Sequence, residues 1–139
     1  MQKQDFKIMV VDDEVDIAQG MAENLEVITG HSFDFFSDPY LALQAFKNKN
    51  YNLVLTDISM PNIDGFEMMK RMRGRRPTTF FIVITAHKTI EMVTRSMRLG
   101  ASYIFYKPVD LAELESAIDT LVGRYLYWIG KIEELRGTE

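Results

Sequence analysis

The stretch LVLTDISMPNIDGF, residues 53–66, decides how the rest of the chain is read. Leu53, Val54 and Leu55 form a short unbroken apolar run, the pattern of a strand buried on both faces of a parallel sheet. Asp57 follows where that strand leaves the sheet. In an open parallel sheet ligands bind in the crevice beyond the carboxyl ends of the strands, so a carboxylate placed there faces a site. Met60-Pro61 and Asp64-Gly65 then supply turn chemistry. Taken alone Asp57 needs no function, because an acid at a strand end commonly caps the following helix. Residues elsewhere in the chain change that assessment.

Outward from this stretch the apolar runs alternate in period. Residues 8–11 form a first strand that ends in Asp12-Asp13-Glu14. Val15, Ile17, Ala18, Met21, Ala22, Leu25 and Ile28 then recur at helical spacing, with Gly30 as the stop. Residues 33–36 make a second strand, and Asp38-Pro39 opens a helix twice over, by an N-cap acid and by proline at the first helical position. That helix continues through Leu41, Ala42, Ala45 and Phe46. Phe66, Met69 and Met72 mark a third helix ending near Gly74 and Pro77. Residues 80–84, FFIVI, are a fourth strand closed by Thr85-Ala86, and a helix over 90–99 stops at Gly100. Residues 103–106 are a fifth strand ending in Lys107-Pro108. Asp110, spaced from Glu113 as in a capping box, opens the last helix. Strand and helix alternate five times, which predicts an α/β fold: a doubly wound, five-stranded parallel (βα)5 sheet of the flavodoxin-like kind, with an extended C-terminal helix.

Size and composition bound the function. A chain of 139 residues with 47% apolar content fits one well-filled core. The net charge of 16 − 20 = −4, without a basic stripe interleaved with aromatics, argues against direct nucleic-acid binding. Arg71, Arg73, Arg75 and Arg76 read as a solvated loop. The absence of cysteine excludes a disulfide framework and fits a reducing cytoplasm. The apolar core of MQKQDFKIMVV is too short for a signal peptide or a membrane span and runs straight into two aspartates, so it reads as a buried strand.

If the strands are parallel, one edge of the sheet collects Asp12, Asp13, Asp57, Thr85 and Lys107. Three carboxylates about 4 Å apart at an effective dielectric near 20 repel by about 4 kcal/mol per pair. Lys107 relieves part of that, and a hard divalent cation of the Mg²⁺ type relieves more. A carboxylate not consumed by the metal can attack a phosphoryl group while Lys107 and the Thr85 hydroxyl hold its oxygens. Each residue separately has an ordinary explanation as a capping acid, a strand threonine or a surface lysine. Their joint placement after strands one, three, four and five does not.

The motifs VVDDE at 10–14, TDISMPNIDG at 56–65, ITA at 84–86 and YKP at 106–108 resemble those of a response-regulator receiver domain of two-component signalling, of the chemotaxis-regulator kind. The resemblance covers about residues 5–122 and leaves 123–139 as a helical extension or linker. It implies that Asp57 is the phospho-acceptor and that Asp13 and Asp57 bind Mg²⁺ (or Mn²⁺) directly. Asp12 would act largely through water on the metal, and the backbone carbonyl of Ser59 would complete the ligands. Thr85 and Lys107 would hold the phosphoryl group, with the Lys107-Pro108 peptide cis. The donor would be a sensor histidine kinase or a histidine phosphotransfer protein, and phosphorylation would alter the face of the fourth helix, fifth strand and fifth helix. By the same resemblance Ser59 and His87 influence dephosphorylation, His87 by positioning water, by shielding the phosphoryl group, or not at all if it is a solvated loop residue. His31 reads as structural or exposed.

One position departs from the family. Receivers usually carry Tyr or Phe three residues before the lysine, and this chain has Ile104. Strand alternation turns Tyr103 and Phe105 to the other face. An aliphatic packing switch through Ile104, or a rearrangement of the loop after Thr85, would replace the usual threonine–aromatic coupling.

The tail carries a seam of Leu111, Leu114, Ile118, Leu121, Tyr125, Trp128, Ile132 and Leu135, spaced 3, 4, 3, 4, 3, 4, 3. Beyond Val122 these side chains need burial elsewhere, in a homodimer or against an output module, unless Gly123 and Gly130 break the helix. Three competing functions fit the residues less well. An aspartyl phosphatase expects a DxD nucleophile after the first strand, and a flavodoxin-like FMN binder expects a neutral hydroxyl and glycine loop there; Asp12-Asp13-Glu14 is neither. A non-phosphorylated docking or dimerisation module is disfavoured by the complete set of five site residues. The expected role is that of a switch, not a turnover enzyme.

Overall fold

A computed structural model of the protein describes residues 2–138. After a short 3₁₀ turn at Lys3–Asp5, five strands alternate with five helices: β1 Lys7–Val11, α1 Val15–Thr29, β2 Ser32–Phe36, α2 Pro39–Asn48, β3 Leu53–Asp57, α3 Gly65–Arg75, β4 Phe80–Thr85, α4 Ile90–Arg98, β5 Tyr103–Tyr106 and α5 Leu111–Leu135. All strand pairs are parallel, in the order β2-β1-β3-β4-β5. The chain winds outward from β1 to β2, then returns to lay β3 on β1's other side. The crevice beyond the ends of β1 and β3 is therefore the switch point at which such sheets hold ligands.

The chain falls into two compact units, one ending at Val109 and the other beginning at Asp110. In the first, period-2 alternation divides the strands between two buried faces. Met9, Val11, Val54, Phe81 and Val83 join Ala42 and Phe46 of α2 and Met68, Met69 and Met72 of α3 in one core cluster. Their neighbours Ile8, Val10, Leu53, Leu55, Ile82 and Ile84 are buried as well. The continuous apolar runs of β3 and β4 follow from having both faces covered.

Local chemistry sets the helix starts. Asp38, Asp64 and Thr89 each accept a backbone N–H of the first turn of α2, α3 and α4, and Pro39 occupies the first turn of α2. Gly30 ends α1 in the left-handed conformation at φ 76°. Along α1 the buried residues are Ala18, Ala22, Leu25 and Thr29, whereas Val15, Ile17 and Ile28 of the apolar repeat remain exposed.

The expected solvated arginine loop does not exist. Arg71, Arg73 and Arg75 lie on α3, and Arg76 caps its end. The Arg73 guanidinium sits 5.0 Å over the Phe81 ring and donates to the Gly100 carbonyl at 3.0 Å. Arg76 lies 4.8 Å over Phe46 and donates to the Lys49 carbonyl at 3.2 Å. Long apolar stems and weakly hydrated guanidinium planes suit these side chains to cover aromatic core.

The second unit is one helix. α5 is capped by Asp110, which accepts the Ala112 N–H, and it runs without interruption through Gly123 and Gly130. Leu114, Ala117, Ile118 and Leu121 are buried, while Trp128, Ile132 and Leu135 are more than half exposed. No helix among the described residues is long and apolar enough to cross a membrane.

Candidate functional site

Register brings the acids together. β1 and β3 pair with Val11 opposite Thr56, so the next residues, Asp12 and Asp57, leave the sheet side by side. β4 and β5 pair with Thr85 opposite Tyr106, which delivers Thr85 and Lys107 to the same edge. One carboxylate oxygen from each of Asp12, Asp13 and Asp57 lies within 4.8 Å of the others. Lys107 Nζ donates to Asp12 Oδ2 at 2.8 Å and to Asp57 Oδ2 at 3.0 Å.

Each carboxylate is aimed by the backbone. Asp57 Oδ1 accepts the Ile58 N–H at 2.7 Å, and the Thr56 hydroxyl donates to the Asp57 carbonyl at 2.7 Å. Asp12 Oδ1 accepts the Glu14 N–H at 3.0 Å. Asp12 and Asp57 are buried and Asp13 is exposed. Burial by itself would lower the Lys107 pKa, but hydrogen bonds from Lys107 to Asp12 and Asp57 and their charges outweigh it and hold the ammonium above its ordinary range. Lys107 is a fixed cation at neutral pH.

The charge does not balance. Three carboxylates and one ammonium sum to −3 + 1 = −2 at the mouth of the crevice. Buried ion pairs contribute little net stability, so concentrating them here has a cost that folding alone does not explain. The donor set of clustered, hard carboxylate oxygens with one member open to solvent fits a small divalent cation.

The remaining expected residues lie on β4, on β5 and in the loops that follow β3, β4 and β5. Thr85 is fully buried, and its Oγ1 accepts the His87 N–H at 3.0 Å while its carbonyl accepts the Lys107 N–H at 2.9 Å. Ser59 and the His87 side chain are exposed. The Lys107-Pro108 peptide is cis. Ile104 is half-buried and packs on the core cluster beside Met92, Leu99 and Ala101, whereas Tyr103 and Phe105 stack on each other at 6.0 Å. His31 belongs to a different place: it is buried, with Nδ1 2.8 Å from the Lys3 carbonyl and its ring 5.4 Å from Phe6.

Sequence reading missed Gly65. A Cβ there would stand 2.2 Å from the Asp57 carbonyl oxygen and 2.9 Å from the Ile58 Cα. The Gly65 N–H donates to the Ile58 carbonyl at 2.9 Å. The Asp64-Gly65 pair signalled a turn, but only the fold shows that the turn passes against the backbone of Asp57.

Comparison with known proteins agrees with this arrangement. The family model of the response regulator receiver domain matches residues 8–119. The transcriptional regulatory protein QseB of Haemophilus influenzae is 26% identical over 130 residues, covering 93% of this chain and 58% of that protein. The regulatory protein AtoC of Escherichia coli is 33% identical over 108 residues, 78% of this chain but 23% of that protein. The chain thus spans little more than half of one relative and a quarter of the other. Among solved structures, the receiver domain protein from Clostridium thermocellum superposes with a TM-score of 0.81 at 27% identity, covering 88% of this chain and 98% of that one. The response regulator TrrA of Thermotoga maritima, solved in complex with Mg²⁺-BeF, superposes at 0.74 with 30% identity, covering 84% and 98%. Such receivers bind Mg²⁺ at an acidic pocket and act in two-component signal transduction. On fold, on the acid-lined switch point and on sequence, the chain belongs to the response regulator receiver domain family.

Proposed function

We propose that this chain accepts a phosphoryl group on Asp57 from a phosphohistidine of a sensor histidine kinase or histidine phosphotransfer protein, in a reaction that needs Mg²⁺ or Mn²⁺. The carrying observation is the Lys107 ammonium held 3.0 Å from the Asp57 carboxylate, beside two further acids. An Asp57 oxygen attacks phosphorus, the P–N bond breaks with its electron pair going to the histidine nitrogen, and an acyl phosphate forms on Asp57.

Asp12, Asp13 and Asp57, with the Ser59 carbonyl, would hold the cation, which when bound neutralises phosphoryl oxygens as their charge develops. Lys107 exchanges a carboxylate oxygen for a phosphoryl oxygen without leaving the cluster. Thr85 Oγ1 accepts from His87 N–H, which leaves the hydroxyl proton available to a phosphoryl oxygen. Ser59 and His87, exposed at the rim, govern water access and hence the lifetime of the acyl phosphate. The chemistry is a single self-modification, so the chain is a cytoplasmic switch and not a turnover enzyme. A loss of the Thr85 hydroxyl to the phosphoryl group would be read by Ile104, Met92 and Leu99, which share one packing cluster on the way to α4. We take residues 5–122 as the receiver and 123–139 as a helical extension that pairs with a second copy through Trp128, Ile132 and Leu135.

The test is intact mass after incubation with acetyl phosphate, with and without Mg²⁺, beside Asp57→Ala. The expected result is one added phosphoryl group that requires both Mg²⁺ and Asp57. No adduct while Mg²⁺ binding is demonstrable would favour a docking module that is never phosphorylated.

A further inference from the structure

A second site lies away from the acids. Between α2 and α3 is a cleft of about 520 Å³, within the size range of small-ligand pockets. Leu43, Phe46 and Met72 supply apolar lining, and Lys47, Arg71 and Arg75 supply three cations with no acid among the lining residues. The chain as a whole is acidic, at −4. Among the described residues neither Lys47 nor Arg75 makes an ion pair, and Arg71 makes one, through Nε to Glu67 at 3.2 Å, on the exposed surface. With Glu67 counted, the group carries +3 − 1 = +2. Tyr40 lines the same cleft with about half of its surface in solvent.

The helix macrodipole accounts for two of these cations, since Lys47 and Arg75 stand in the last turns of α2 and α3. It does not account for Arg71, a turn earlier, for the exposed Tyr40 in the first turn of α2, or for the hollow between them.

We infer that this cleft binds a nucleoside monophosphate. A phosphate monoester carries close to −2 at neutral pH, which matches the cluster. Arginine forks bind phosphate oxygens bidentately, and a half-exposed tyrosine offers a face on which a base stacks. Apolar lining beneath a few polar groups is the ordinary composition of such a site. The site shares no residue with the acid cluster, so it is independent of phosphoryl acceptance by Asp57.

The experiment is an amide NMR titration of the full chain with AMP in the presence of EDTA, which keeps metal-bridged nucleotide off the acids. Adenosine, inorganic phosphate and a polyglutamate peptide are titrated in parallel. AMP is expected to shift amides lining the cleft and to saturate below about 1 mM. Arg71→Ala/Arg75→Ala and Tyr40→Ala are expected to weaken it about tenfold each, their spectra reporting retained fold. Adenosine and phosphate alone should bind more weakly than AMP. The inference is overturned if AMP leaves the cleft amides unmoved, or if the substitutions change nothing. Phosphate binding as tightly as AMP, or polyglutamate binding more tightly, also overturns it, assigning the cleft to a simple anion or to an acidic peptide.

Discussion

Asp57 is held from behind as much as from its side chain. The Cβ that Gly65 lacks would overlap the Asp57 carbonyl oxygen at 2.2 Å, and that oxygen is already engaged by the Thr56 hydroxyl. The two nearest atoms, the Asp57 carbonyl oxygen and the Ile58 Cα at 2.9 Å, both belong to the backbone, so relief requires backbone movement. Gly65→Ala is therefore expected to lower stability by about 1–3 kcal/mol, the usual cost of overpacking, and to slow acetyl-phosphate labelling. An unchanged denaturant midpoint would contradict the close packing. Ile104 is a second decisive residue. Half-buried in the cluster with Met92 and Leu99, it should cost about 1 kcal/mol when cut to alanine, less than a fully buried isoleucine. If Ile104 transmits phosphorylation by packing, Ile104→Tyr alters the phosphorylation-dependent change in oligomer size measured by light scattering; identical behaviour of the two proteins would remove Ile104 from the switch.

Among the elements, β2 and the segment joining α2 to β3 meet in a polar network. Asp34 accepts Lys49 Nζ at 2.7 Å and also accepts the Tyr51 hydroxyl. Burial pushes Asp34 up, but hydrogen bonds from Lys49 and Tyr51 and the lysine charge outweigh it and leave its pKa below 3.8. Burial and the bond to Asp34 push the Tyr51 phenol well above its ordinary 10.0. A depressed carboxylate contributes stability that is present above its unfolded pKa and lost as pH falls below it; a raised phenol contributes stability that is present below its unfolded pKa and lost as pH rises beyond it. Unfolding free energy should thus decline above pH 10.0, and Tyr51→Phe should flatten that alkaline decline when denaturant melts are compared across pH. An equal slope in both proteins would refute the role of Tyr51.

Much of the element order was legible because its signals are local. Asp38-Pro39, Gly30 and the apolar runs ending in Asp12, Asp57 and Thr85 each act within a few residues. The gathering of Asp12, Asp13, Asp57 and Lys107 was legible for the same reason, once parallel strands were inferred: the carboxyl ends of the strands lie at one edge. What sequence could not show depends on residues distant along the chain. Arg73 and Arg76 read as solvated because nothing nearby announces Phe81, Phe46 or the Gly100 carbonyl. Gly65 read as a turn residue because its neighbour in space is the carbonyl of Asp57. Thr89, which caps α4, carried a local signal that went unused.

On the scale of the molecule the acids gather at one edge of the sheet and the cations of α2 and α3 line a separate cleft, so opposite charges collect at two places in one small fold. The long final helix adds an exposed apolar stripe. Trp128 is 60% exposed, and Ile132 and Leu135 are over half exposed. Trp128→Glu is expected to weaken self-association by 2 kcal/mol or so, about a thirtyfold rise in dissociation constant by sedimentation. A chain that is monomeric both before and after phosphorylation would set aside pairing through α5. The central claim is chemical, and reductive trapping tests it most directly. After incubation with Mg²⁺ and acetyl phosphate, borohydride converts an acyl phosphate to homoserine, which peptide mapping by tandem mass spectrometry locates. The account predicts homoserine at position 57 alone and only with Mg²⁺; homoserine at Asp12 or Asp13, or none at all in protein that binds Mg²⁺, would contradict it.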